Sequence, residues 1–190
     1  MEVANVTASG PVRWLVLLAT LCSLLSCGAN LAAGSPTPPH GAIKPSSVAA
    51  DEFEKNVRNQ LFDPTKTAFR LVVSDEQITS YVALRYRNLS LDNPQVWFSG
   101  GRTYLRGTYT GLCLFHPDVL IVAEPVVQNM KILVNIQQIY VGMIALPQEW
   151  LPTISRSMTD TIADAQLKLD FEQVQIIDGQ LLITGSKHSG

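Results

Sequence analysis

PQVWFSGGRTYLRGTY, Pro94 to Tyr109, places two β-rich runs around a Ser99-Gly100-Gly101-Arg102 turn. A two-residue hairpin loop needs positive φ at both central positions, which glycine supplies without a steric cost. With Gly100-Gly101 as that loop, Val96 lies opposite Leu105 and Trp97 opposite Tyr104. Side chains alternate across a strand, so Val96, Phe98 and Leu105 share an apolar face. Trp97, Arg102, Tyr104 and Arg106 share the other face and form the candidate surface contact. Amphipathic aromatics suit a membrane interface and arginine grips phosphate bidentately. The alternative is a solvated strand face carrying a cation–π pair.

On the N-terminal side, the pattern predicts a short helix over Asp51–Leu61 with Phe53, Val57 and Leu61 in line. A strand follows at Phe69–Val73, and Ser74-Asp75-Glu76-Gln77 then matches a capping box opening a helix to about Asn88. On the C-terminal side, Leu112–Val127 and Lys131–Leu146 read as two long strands joined at Gln128-Asn129. Ile132, Val134 and Ile136 alternate, Gln137-Gln138 breaks the phase, and Ile139, Val141 and Met143 resume it. One extra residue is what a β-bulge inserts. Leu151, Ile154, Met158, Ile162 and Ala165 then make a helical stripe. Pro152 fits its first turn, where N–H groups lack intrahelical partners. Asp178-Gly179 centres a second hairpin.

The second hairpin echoes the first without a gap. Gln95-Val96 aligns with Gln173-Val174, Gly101 with Gly179, Leu105 with Ile183 and Gly107 with Gly185. Shared turn chemistry alone produces such matches, so two equivalent helix-plus-hairpin units and two unrelated hairpins are both open. The fold class expected is α+β, a curved antiparallel β-sheet packed against or wrapped around one or two amphipathic helices.

Val72-Val73-Ser74-Asp75-Glu76-Gln77-Ile78, Pro94-Gln95-Val96 with Gly101, the strands ending in Leu146-Pro147, and Val174-Gln175-Ile176-Ile177-Asp178-Gly179 together resemble a group of bacterial envelope lipoproteins. These are similar to the LmeA-like phospholipid-binding proteins, a group related to the tubular lipid-binding fold. The likeness is one of pattern and covers about Phe69 to Gly185. It implies a hydrophobic groove for acyl chains.

The N-terminus carries an address. Arg13, the apolar run Trp14–Leu25 and Ser26-Cys27-Gly28 follow the order of a secretory signal, too short for a comfortable membrane span. Leu24-Leu25-Ser26-Cys27 resembles the lipobox of bacterial lipoproteins, which makes Cys27 the candidate lipidation site and the membrane its partner. An ordinary cleavage site and an uncleaved anchor are the alternatives. The expected organisation is a signal peptide over 1–27, a flexible Ala/Ser/Gly/Pro-rich tether over 28–50, one α+β domain over 51–187 and a tail over 188–190. The expected location is the outer face of the bacterial cytoplasmic membrane or the cell envelope. With Cys27 acylated, no internal disulfide framework is left to Cys22 and Cys113.

No catalytic set is legible, and no enzyme, metal or cofactor is expected. His40, His116 and His188 are scattered, and no nucleophile elbow or Gly-rich phosphate loop is present. Asp160 and Asp164 share a helix face, read as solvated. A net charge of −2 without a basic patch argues against nucleic acid. Two functions are left. In the first, a lipid or other apolar ligand, a phospholipid among the candidates, is bound, with transfer open, in a groove between sheet and helix lined by Ile132, Val134, Ile136, Ile154, Met158 and Ile162. In the second, those residues fill a closed core and the sheet or its edge contacts a protein partner in the envelope.

Overall fold

The structure is a computed structural model that describes residues 36–86, 90–111, 116–165 and 169–187, with the backbone alone for 161–165. The expected signal segment, Cys27, the first part of the expected tether, Cys113 and His188 lie outside the described residues. In chain order the elements are α1 (Ser47–Leu61), β1 (Ala68–Ser74), α2 (Asp75–Leu84), β2 (Leu91–Ser99), β3 (Arg102–Tyr109), β4 (Asp118–Gln128), β5 (Lys131–Val141) and β6 (Ile144–Ala145). A 3₁₀ turn (Gln148–Trp150), α3 (Leu151–Ala165), β7 (Leu169–Ile177) and β8 (Gln180–Lys187) complete them. The fold is α+β, with antiparallel strands divided between a five-stranded sheet, β2-β3-β4-β5-β6, and a three-stranded one, β1-β8-β7.

The opening hairpin has the register its turn dictates, with Val96 opposite Leu105 and Trp97 opposite Tyr104. Gly100 and Gly101 both take positive φ, at 56° and 75°. The register between β4 and β5 slips between Val122 and Ala123, leaving Gln137 unpaired on β5 where the hydrophobic phase breaks. That slip returns Ile136 and Ile139 to one face and one cluster with Ala123 and Leu151.

The echo between the hairpins reaches beyond turn glycines. Each first strand slips at the same place, after Asp92 in β2 and after Phe171 in β7, and Gly107 and Gly185 sit opposite the slips. A methyl on Gly107 would meet the Asp92 carbonyl oxygen, and one on Gly185 would meet that of Asp170. Both pairs stand 78 residues apart, 185 − 107 and 170 − 92. The helices depart from this equivalence: α2 packs on β2, the strand after it, whereas α3 packs on β5, which precedes it.

Three boundaries differ from expectation. The tether expected to reach Ala50 is folded well before that point, and the residues from Thr37 onward belong to the compact unit. Ser46 caps α1 by accepting from the Ala49 N–H, Ala49 and Ala50 are buried, and Ile43 packs against Trp97, Leu120 and Val122. The segment's linker-like composition hides this because its anchorage is a few specific contacts in place of a periodic stripe. The helix expected to reach Asn88 ends at Leu84, and Gly142, at φ 62°, turns the chain after Val141.

Candidate functional site

The large sheet meets its helices through its edges. An edge strand leaves every second N–H and C=O unpaired. On β2, the buried Thr79 hydroxyl donates to the Val96 carbonyl at 2.8 Å and accepts from the Val96 N–H at 2.9 Å. The Asp75 carboxylate accepts from the Phe98 N–H at 2.8 Å. On β5, which β6 pairs with only at Tyr140 and Val141 and which is the sheet's edge before them, Ser155 accepts from the Ile136 N–H at 3.0 Å and Thr159 from the Val134 N–H at 3.1 Å. Four residues of helix rise about 6.0 Å and two of strand about 6.7 Å, so an i, i+4 pair of short polar side chains fills alternate edge donors. Both helices therefore run along an edge, antiparallel to its strand.

The sheet's centre is left uncovered between them. An apolar groove of about 200 Å³ opens there, floored by Val96, Leu105, Ile121 and Ala123 and walled by Val82 of α2 and Met158 of α3. Thr103, Pro125 and Val134 complete the lining, in which Thr103 carries the sole polar side-chain group. An apolar cavity of about 150 Å³ stays dry and binds benzene, so this groove is large enough to hold a ligand. At the ~30 Å³ that a water occupies in the liquid, a volume close to that of a methylene group, it takes about six or seven carbons.

Of the six residues expected to line a groove, Val134 and Met158 do so. Ile136 is buried beneath α3, with Ile154 packed on the same cluster. Ile132 belongs to another cluster with Phe69 and Phe171, where the small sheet covers the end of the large one. The Ile162 side chain lies outside the described residues. Two floor residues, Val96 and Leu105, belong to the apolar face of the opening hairpin, but Phe98 of that face packs instead with Leu71 and Val73, and nothing local shows that the helix beside the hairpin covers the edge and leaves the face open.

The expected surface cluster is divided. Trp97 is 1% exposed, which corrects its place at the surface. Its ring stacks on Tyr104 at 5.0 Å, within 5° of parallel. Ile43 packs against the same cluster, and the backbone on either side of its Cα is clamped by Gln95, whose Oε1 accepts from the Ile43 N–H at 2.7 Å while its Nε2 donates to the Ile43 carbonyl at 2.9 Å. Arg106 is drawn to Asp118 at 3.4 Å. Arg102 is exposed, and four strand positions put roughly 13 Å between the two arginine backbones. The four residues do not form one phosphate site.

A polar junction joins the two sheets beside the groove helices. The Gly179 N–H donates to the Phe98 carbonyl at 2.9 Å, the Asp75 N–H to the Gly179 carbonyl at 3.1 Å, and the Gly100 N–H to Asp178 Oδ1 at 3.1 Å. Burial pushes the Asp75 carboxyl above its ordinary value near 3.8, opposed by the Phe98 N–H and His40 and reinforced by Asp178. A raised folded pKa favours the protonated acid, so this group's contribution to stability is complete below about pH 4 and lost as pH rises through the folded value. Asp75→Asn keeps the acceptor for Phe98 and removes the titration. The thermal midpoint of the variant minus that of the parent should climb from pH 3.8 upward and then level off; a difference flat across pH 3.5–7 would show that Asp75 is not perturbed.

Among the described residues, no three His, Cys, Asp or Glu side chains gather as a metal site. No described helix is long and apolar enough to cross a membrane. No known family model matches the chain, and no curated protein matches it in sequence.

Proposed function

We propose that the chain is an exported, membrane-anchored, non-catalytic lipoprotein whose domain holds the end of one acyl chain in the groove between α2 and α3. The lining carries this reading: eight apolar side chains and one hydroxyl around about 200 Å³, with no charged group. The lipobox-like Leu24-Leu25-Ser26-Cys27 and the resemblance to LmeA-like phospholipid-binding proteins supply the lipid and the anchor. Six or so methylenes fit, so a ligand enters tail first and leaves its polar end outside. The protein-pairing alternative loses ground because edge donors of β2 and β5 are taken by α2 and α3.

At about 0.8 kcal/mol per buried CH₂, six methylenes contribute about 5 kcal/mol, a dissociation constant on the order of 0.2 mM. Titration with decanoate below its micelle concentration should shift the methyl resonances of Val82, Leu105, Ile121 and Met158 together and saturate in the sub-millimolar to millimolar range. Leu105→Trp fills the floor and should weaken binding at least tenfold. Methyl signals that stay in place throughout the titration would refute the reading.

A further inference from the structure

We propose that the β5–β6 tip and the 3₁₀ turn form a docking site for an uncharged or zwitterionic lipid surface. Met143 is 65% exposed, Ile144 72% and Trp150 57%, all within residues 143–150. This exposure is held in place. The Gly142 N–H donates to the Asp118 carbonyl at 2.6 Å, the Leu146 N–H to the Ile139 carbonyl at 2.8 Å and the Trp150 N–H to the Pro147 carbonyl at 3.1 Å. Leu146 and Leu151 pack into the cluster beneath α3 while Met143, Ile144 and Trp150 face outward. A moored backbone that projects two aliphatic side chains and an indole matches the chemistry of the bilayer interface, where tryptophan concentrates.

Charge points the same way. From Ile132 to Trp150 the one charged residue is Glu149. The nearby Asp118 carboxylate is occupied, by Arg106 at 3.4 Å and by the Thr108 hydroxyl at 3.0 Å. Nothing here calls for an anionic or cationic partner. The choice of a lipid surface rests on the anchored-lipoprotein reading: Cys27 precedes Thr37 by ten residues, a contour of at most about 36 Å, so a bilayer holding Cys27 lies within one tether length of the domain. It does not depend on the groove.

The test uses the full chain with vesicles of plain or dibrominated phosphatidylcholine, reading Trp150 as the difference between the parent and Trp150→Phe. Trp150 emission should shift to the blue on both vesicles and lose more than half its intensity on the brominated ones. Met143→Ser with Ile144→Ser should abolish that quenching while leaving the circular dichroism unchanged. If the chain binds vesicles but Trp150 is quenched by aqueous iodide and not by bromine, the docking site is overturned and the anchor stands. If the chain does not associate with vesicles, both fall. A blue shift without lipid that tracks a dimer in sedimentation makes a second copy the occupant and also overturns the proposal.

Discussion

Gly185→Ala is expected to destabilise the domain by about 3 kcal/mol or more, the upper end of what overpacking costs. A methyl there overlaps the Asp170 carbonyl oxygen, which belongs to the backbone, and comes within 2.7 Å of the Phe69 ring. Neither can give easily, since Phe69 is buried in T-shaped contact with Phe171, their ring centroids 5.6 Å apart. For a domain of this size the thermal midpoint should fall by about 10 °C. Gly107→Ala, at the echoed position, places its methyl 3.1 Å from the Asp92 carbonyl oxygen and should cost about 1 kcal/mol. Equal losses at the two positions, read by urea unfolding, would contradict the asymmetry.

The second large effect is expected at Thr79. Thr79→Val keeps the shape of a fully buried side chain and deletes the hydroxyl that serves both the N–H and the carbonyl of Val96. Orphaning two backbone groups at about 1–3 kcal/mol each predicts a loss of about 2–6 kcal/mol. Thr79→Ser retains both bonds, gives up a methyl and should cost about 1 kcal/mol. The contrast isolates the edge bonds from packing. Midpoints shifting without a change in denaturant slope would locate the effect in the folded state, and indistinguishable Val and Ser variants would refute the role given to the hydroxyl.

What sequence conveys about this fold is what neighbouring residues decide among themselves. Gly100-Gly101 fixes a register that holds along Gln95–Ser99. The capping box is complete, with Gln77 N–H donating to the Ser74 hydroxyl and Ser74 N–H to Gln77 Oε1, both at 3.2 Å. The Gln137 bulge is written in a single break of alternation. The site is legible only in part because it depends on how distant elements meet. Trp97 sits on the face that alternation assigns it, yet Gln95 holds the Ile43 backbone beside it, a pairing across 52 residues that no local pattern encodes. Val134 and Ile132 look identical in sequence, but one lines the groove and the other lies beneath the small sheet.

The pairing of β1 with β8 has a consequence in time. Phe69 lies opposite Gly185, so β1 finds its partner in β8, the last of the described strands. At about 5–20 residues per second, synthesis needs roughly 5–20 s to deliver β8 after β1 has emerged. Through that interval Leu71 and Val73 lack the strand that carries Leu181 and Ile183, with which they share a core. A chain wired in this way withholds the pairing that closes its small sheet until β8 has been made.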